Sequence, residues 1–455
     1  MQAILEVKNF GPIKNVKLDL RNVNVFIGPQ ASGKSALAKV YTICKSPLSF
    51  YSESKENLVS GSETTNLANF KKTLEDYNIL SFLANDTYIN FNSELHSFKY
   101  EYGKITYERK FIKRIERLEI CKAEIEANKA EIINILSGIN EKLFGFRFFI
   151  RKLFTNPTFL YDEEFKLFMN NKKIDNEQLE SIIKEITRIE NDLSSRTALY
   201  IPAERNFIPI IKGASLNLLN NNVPIPKHIL SFGAEFEKAS FELKELDLDF
   251  IKEGIKYKNE DGKDVIYFSA NNSIKLTESA SGLQSVVPLL LPILARKRKN
   301  ELSHHSFVIE EAELNLFPLA QYKLIKELEK NRLDGSSISE DIGTIHTYTT
   351  HSPYILSAFN NLLYAYKARN YIRRKNMQSG MDYTKAINDA HAKVTDIIPV
   401  FISARNFSAY QISNGGAMEI FNRESELMDE NYIDQSSDEM SDDFERLMEI
   451  MKDDI

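Results

Sequence analysis

The sequence predicts an α/β fold interrupted by a helical insertion, and three observations carry that prediction. Apolar alternation at Val23, Val25 and Ile27 runs directly into GPQASGKS (residues 28–35), the strand, loop and helix order of a GxxxxGK[ST] phosphate loop. A second β-like run, Phe307, Val308 and Ile309, ends in two adjacent carboxylates and a turn within SFVIEEAELNLFP. Between these halves lies a stretch of different texture, where Leu118, Ile125, Ile132 and Ile139 recur every seven residues.

The bounds agree with such a fold. A chain of 455 residues, 43% hydrophobic and 27% charged, can bury a large core and divide into two or three folding units. No apolar stretch approaches bilayer length, and MQAILEVKNF lacks the basic start and apolar run of a signal peptide, so a cytoplasmic, membrane-free protein is the expectation. Cys44 and Cys121 have no CxxC or Cys/His spacing, which argues against a disulfide framework or a zinc site. The last 32 residues hold 13 acids against two bases, a net of −11, so residues 1–423 carry about +5 of the overall −6. Basic clusters at Arg296, Lys297, Arg298 and Lys299, and at Lys367, Arg369, Arg373, Arg374 and Lys375 with Tyr366 and Tyr371, make nucleic acid a candidate partner. The ordinary reading of any one such cluster is a solvated helix end.

Each chemical motif has a physical reason for its residues. Gly28, Pro29, Gln30, Ala31, Ser32, Gly33, Lys34, Ser35 and Ala36 are expected to bind ATP. The glycines let main-chain amides curl round phosphate oxygens, Lys34 neutralises the β- and γ-phosphates, and Ser35 offers its hydroxyl to Mg²⁺. Glu310, at the end of the acidic strand, is expected to hold Mg²⁺ through water, with Glu311 as base for the attacking water. A β-branched run in TIHTYTTHSPYIL ends at His351, about 40 residues beyond the acidic pair, where a γ-phosphate sensor belongs. A second polar loop, with Ser279, Ser281 and Gly282, precedes an apolar helix body at residues 286–294 and offers another anion-binding helix start. One nucleotide cannot occupy both loops, so the second is expected to close on ATP held by another copy, in a head-to-tail homodimer or larger oligomer. A plain N-cap with no ligand is the alternative for this loop taken alone.

GPQASGKS, ESASGLQS, FVIEEAELNLFP and TTHSPYIL, in that order, resemble the phosphate loop, signature, acidic strand and switch histidine of ABC-type ATPases of the SMC and RecF kind. LEVKNFGPIKNVKLDL and YIPAERNFI (residues 200–208) are similar to bacterial AAA ATPases of the class that includes the overcoming-lysogenization-defect nucleases and the ATPase subunits of antiphage systems such as Septu and PARIS. The resemblance covers residues 1–45 and 198–365 well. It implies an ABC-type P-loop ATPase head acting as scaffold and sensor of an antiphage complex that controls a separate nuclease or toxin. The alternative is a RecF-like repair ATPase that clamps DNA. A transporter ATPase is disfavoured by the absence of membrane spans and by the insertion. Three departures stand out. Ala312 replaces the proline usual after the paired glutamates, which should relax the turn. The signature reads SASGLQ, which leaves open which serine meets the γ-phosphate. No Q-loop glutamine stands out.

The organisation expected is an N-terminal head part (1–107), a helical arm (108–196), a C-terminal head part (197–423) and an acidic tail (424–455). In the arm, Ile115, Leu136 and Leu143 flank the seven-residue seam, Lys122 and Lys129 interrupt it, and Leu179, Ile186 and Leu193 with Ile182 and Ile189 form a shorter return. Two antiparallel helices with an aromatic tip, or a helical subdomain packed on the head, both satisfy this pattern. Beyond His351 there is no Toprim-like acidic constellation, no HNH pattern and no HExxH, so an effector, if one exists, is expected on another chain. FSAYQISNGGAMEIFN reads as a last hairpin with Asn414, Gly415 and Gly416 as its turn. The tail mixes acids with Leu, Met and Phe, as an amphipathic docking helix or a fraying end would.

Overall fold

The computed structural model describes residues 3–46, 63–93, 96–109, 198–213, 221, 223–298, 306–332, 344–429, 441–444 and 448. The chain divides into two compact units, Met1–Glu108 with Arg196–Ile455, and Arg109–Ser195. The second unit beyond Arg109, and with it the expected arm, lies outside the described residues, as do Cys121, Lys299 and most of the acidic tail.

The first unit opens with a hairpin, β1 (Ala3–Phe10) and β2 (Ile13–Leu20), whose buried residues Leu5, Val7, Val16 and Leu18 share one face. Then come β3 (Val23–Ile27), α1 (Lys34–Lys45), α2 (Glu63–Asp76), β4 (Leu83–Ser93), β5 (His96–Glu101) and β6 (Lys104–Arg109). Past the insertion follow β7 (Ala198–Ile201), α3 (Lys227–Leu243) and a four-stranded meander of β8 (Glu245–Asp247), β9 (Lys256–Glu260), β10 (Lys263–Ser269) and β11 (Asn272–Lys275). Next are α4 (Ser281–Arg298), β12 (Ser306–Glu310), α5 (Pro318–Arg332), β13 (Ile345–Thr350), α6 (Pro353–Gln378) and α7 (Tyr383–Thr395). The hairpin β14 (Phe407–Ser413) and β15 (Gly416–Glu419) and a short pair, β16 (Phe421–Asn422) and β17 (Leu427–Met428), complete it.

The α/β core is a six-stranded sheet in the order β15-β14-β3-β13-β12-β7, parallel except for the terminal hairpin. Every residue of β3, β12 and β13 is buried, as expected of parallel strands covered on both faces. Side-chain alternation sorts two cores. Val23, Val25, Ile27, Phe307 and Ile309 join α3, α4, α5 and α6 on one face. Phe26 and Val308 join α1 and the antiparallel sheet β2-β1-β4-β5-β6 on the other. The register pairs Glu310 with Thr349 and Thr350 with Ile27, so the carboxyl ends of β12, β13 and β3 lie level at one edge. That edge is where open α/β sheets bind ligands.

Several local expectations are refined. The hairpin turn is Asn414 and Gly415 alone, with φ of +53° and +82°, while Gly416 already pairs with Ser413 as the first residue of β15. α4 extends beyond the expected apolar body and carries Pro288 and Pro292 inside it. Each proline removes a helical donor, but the segment is a continuous buried wall, and packing outweighs local propensity. Arg296, Lys297 and Arg298 form its last turn, where positive charge suits the helix dipole, and Arg296 pairs with Glu235 at 2.8 Å. Among the described residues no helix is long and apolar enough to cross a membrane.

Candidate functional site

The phosphate loop links the end of β3 to the start of α1, as the motif requires. A side chain at Gly28 would place its Cβ 2.1 Å from the Ile412 carbonyl oxygen, so the loop passes too close to β14 for any other residue. Gly33 has φ of +102° and turns the chain into α1. Pro29, Gln30, Ala31 and Ser35 are exposed; Lys34 is buried, and its ammonium donates to the carbonyls of Gly28 and Pro29, each at 2.8 Å.

The acidic pair stands opposite. Glu310 closes β12 and is buried, and its Oε1 has no hydrogen-bond partner among the described residues. Burial raises its pKa; the hydroxyls of Tyr200 and Ser35 and the charge of Lys39 act in the other direction. Glu311 turns the chain away with φ of +43°, a left-handed conformation that costs a non-glycine residue on the order of 1–3 kcal/mol. Its amide donates to the Thr349 carbonyl at 3.0 Å, and its carbonyl accepts from Leu314 N–H at 3.0 Å. A main-chain bond therefore closes the turn, and Ala312 itself is buried in the core. His351 follows β13, with its Nε2 at 3.7 Å from Glu311 Oε1. Burial lowers the pKa of this imidazole, Lys34 adds to the effect, and the ring is neutral at neutral pH.

Two residues that motif reading did not single out hold this edge together. Glu313 is half-buried, and its Oε1 accepts from the Thr350 hydroxyl at 2.7 Å and from the His351 amide at 2.8 Å, fixing the segment that carries the histidine. Arg205, fully buried within YIPAERNFI, donates to the carbonyls of Glu310 and Glu311 at 2.6 and 2.7 Å. Both lie inside quoted motifs, but their roles are visible only through bonds to distant or neighbouring segments.

The second loop separates its candidates. Ser279 is buried and its hydroxyl donates to the Leu276 carbonyl at 2.7 Å, a local structural bond. Ser281 is exposed as the first residue of α4. Gln284 Nε2 ties the loop down through the carbonyls of Ser279 and Thr277, at 2.7 and 3.2 Å. A Cβ at Gly282 would lie 2.9 Å from the Asn315 carbonyl oxygen and 3.1 Å from Leu316 Cδ2, so this glycine seats the helix start against the turn after the acidic strand of its own chain.

The AAA ATPase domain family description matches residues 1–356. The chain belongs to that family. Solved structures similar to this AAA ATPase include an SMC head bound to the C-terminal winged-helix domain of ScpA, at 8% identity and TM-score 0.36 over 92% of this chain and 96% of that one. Another is the SMC head domain from Thermotoga maritima, at 12% identity and TM-score 0.32 over 78% and 91%. A third is a Pyrococcus furiosus Smc head with an extended coiled coil bound to the C-terminal domain of ScpA, at 9% identity and TM-score 0.31 over 92% and 96%. No curated protein matches the sequence.

Electrostatics at the edge of this AAA ATPase are closely balanced. Burial pulls the Lys34 ammonium down to about 8, against the opposing charges of Glu311, Glu313 and Glu310. Burial likewise brings Arg205 down to about 10, against Glu313, Glu311, Glu310 and Glu204, so it stays charged at neutral pH. Among the described residues no group of three or more His, Cys, Asp or Glu converges as a self-sufficient metal site.

Proposed function

We propose that this AAA ATPase binds ATP with Mg²⁺ and hydrolyses it as one half of a head-to-tail pair of ABC type. The observation that carries the reading is the convergence of the phosphate loop, Glu310, Glu311 and His351 at the level carboxyl ends of β3, β12 and β13. Lys34 and the first amides of α1 take the phosphates. Ser35 and Glu310 would hold Mg²⁺: a buried, unpartnered carboxylate oxygen near a serine hydroxyl suits an ion bound by few protein oxygens plus phosphates and water. The ion, when bound, draws negative charge from the phosphates. Glu311 accepts the proton of the attacking water, and neutral His351 donates its single ring N–H to a γ-phosphate oxygen.

Ser281 and the first amides of α4 close on the γ-phosphate held by a second copy. Exposed Phe317, Leu319 and Tyr354, at 85%, 65% and 50% accessibility, lie at the starts of α5 and α6 and support burial of this edge by a partner. The role as scaffold and sensor of an antiphage complex with a separate nuclease or toxin effector is supported by the motif resemblance. A neighbouring HNH or Toprim reading frame would favour it, and a replication cluster would favour a RecF-like DNA clamp.

The test compares two variants by fluorescent-nucleotide binding and phosphate release. Lys34→Ala weakens ATP binding; Glu311→Gln keeps binding and loses turnover. Hydrolysis by Glu311→Gln at the wild-type rate contradicts the assignment of the base.

A further inference from the structure

Arg205 is fully buried, yet each of its hydrogen bonds ends on a main-chain carbonyl. Nε donates to Ser285 at 3.2 Å, Nη1 to Pro202 at 3.2 Å and Glu310 at 2.6 Å, and Nη2 to Glu311 at 2.7 Å. One planar fork therefore joins the turn after β7, the end of β12 and the second turn of α4. A guanidinium alone has the donors in fixed directions to serve all three; an ammonium is a single point. Two further contacts bind the same elements, since Asn315 Nδ2 donates to Ser285 Oγ at 3.2 Å and Gly282 packs on the Asn315 carbonyl. Glu311 occupies a left-handed conformation that persists only where its neighbours over-determine it, and Arg205 holds its carbonyl oxygen.

We propose that Arg205 is a positioning residue for hydrolysis: it fixes the main chain of Glu310 and Glu311, aims the Glu311 carboxylate, and locks the acidic strand end to the start of α4 so that the two move as one body. The inference rests on the reading of Glu311 as base. A displacement of Ser281 by a partner's nucleotide is then felt at Glu311 of the same chain, without any contact between Arg205 and ATP.

The test uses Arg205→Lys in the full chain, alone and combined with Glu311→Gln. The expected result is a loss of kcat of about 100-fold with KM and nucleotide affinity within about twofold, because geometry and not binding is lost. In the Glu311→Gln background the same change should have no further effect, since it acts through the missing base. A folded Arg205→Lys chain with wild-type kcat, or a loss that adds in full to that of Glu311→Gln, overturns the proposal. An inactive Glu311→Gln beside a fully active Arg205→Lys removes this role alone; an active Glu311→Gln removes the base and this role together. If Arg205→Lys shows no cooperative melt, hydrogen exchange on the wild-type chain decides. Amides of residues 281–287 and 310–314 should gain protection with one midpoint as a non-hydrolysable ATP analogue is added, and separate midpoints overturn the coupling.

Discussion

Lys34 shows how a single residue in this site answers to its surroundings. Its ammonium is held at about 8 by burial, and a bound triphosphate raises that value by supplying opposite charge. Binding therefore takes up a proton once the pH exceeds the free value, and affinity should fall as pH rises above 8, by up to about tenfold per pH unit. Titrating a fluorescent ATP analogue between pH 7 and 9.5 checks this, and Lys34→Arg, which keeps its charge, should flatten the profile. A wild-type affinity constant over that range would contradict it. The placement of Lys34, Ser35, Glu310, Glu311 and His351 around one sheet edge was legible in the sequence, because apolar runs lead straight into the motifs that carry them. Arg205 and Glu313 were not, because one reaches carbonyls 105 and 106 residues away and the other caps an amide 38 residues away. No local pattern encodes such bonds.

At the scale of elements, α4 carries the largest departure from local rules. Two internal prolines would end an isolated helix, and the buried wall from Val286 to Ile293 maintains this one. Its start depends on Gly282, so Gly282→Ala, which drives a methyl against the Asn315 carbonyl, should cost about 1–3 kcal/mol in a denaturant melt. Unchanged stability would show that the contact yields freely. The second basic cluster falls on α6 and divides in use: Arg369 lies over Tyr366 and Phe401, Lys367 donates to the Ser425 carbonyl, and Tyr371, Arg374 and Lys375 are exposed. Any nucleic-acid affinity of this face should be phosphate-based and fall steeply from 50 to about 200 mM salt. Binding that is flat with salt, or none at low salt, would remove the DNA-clamp reading.

At the scale of the whole molecule, the α/β class, the phosphate-loop strand, the acidic strand and the histidine strand were readable from apolar runs ending in chemistry. The strand order was not, since β7 joins β12 and β3 joins both β13 and β14 across long stretches of chain. The antiparallel sheet of β1, β2 and β4 to β6 and the β8–β11 meander went unread. The meander did carry a signal: Asp261 and Gly262, with φ of +48° and +89°, are the two-residue turn between β9 and β10. The assembled edge leaves Ser281 exposed and Ser279 committed to its own loop, and the central claim is that Ser281 completes a site on a second copy. Ser281→Asp tests it cleanly, because an acid in the first turn suits the helix dipole and preserves the fold while repelling a γ-phosphate. The decisive measurement is phosphate release from an equimolar mixture of Ser281→Asp and Lys34→Ala chains, each inactive alone. Head-to-tail pairing predicts partial recovery of activity, since one composite site regains both an intact phosphate loop and an intact second loop. A mixture that exchanges subunits yet stays as inactive as either parent would contradict the account.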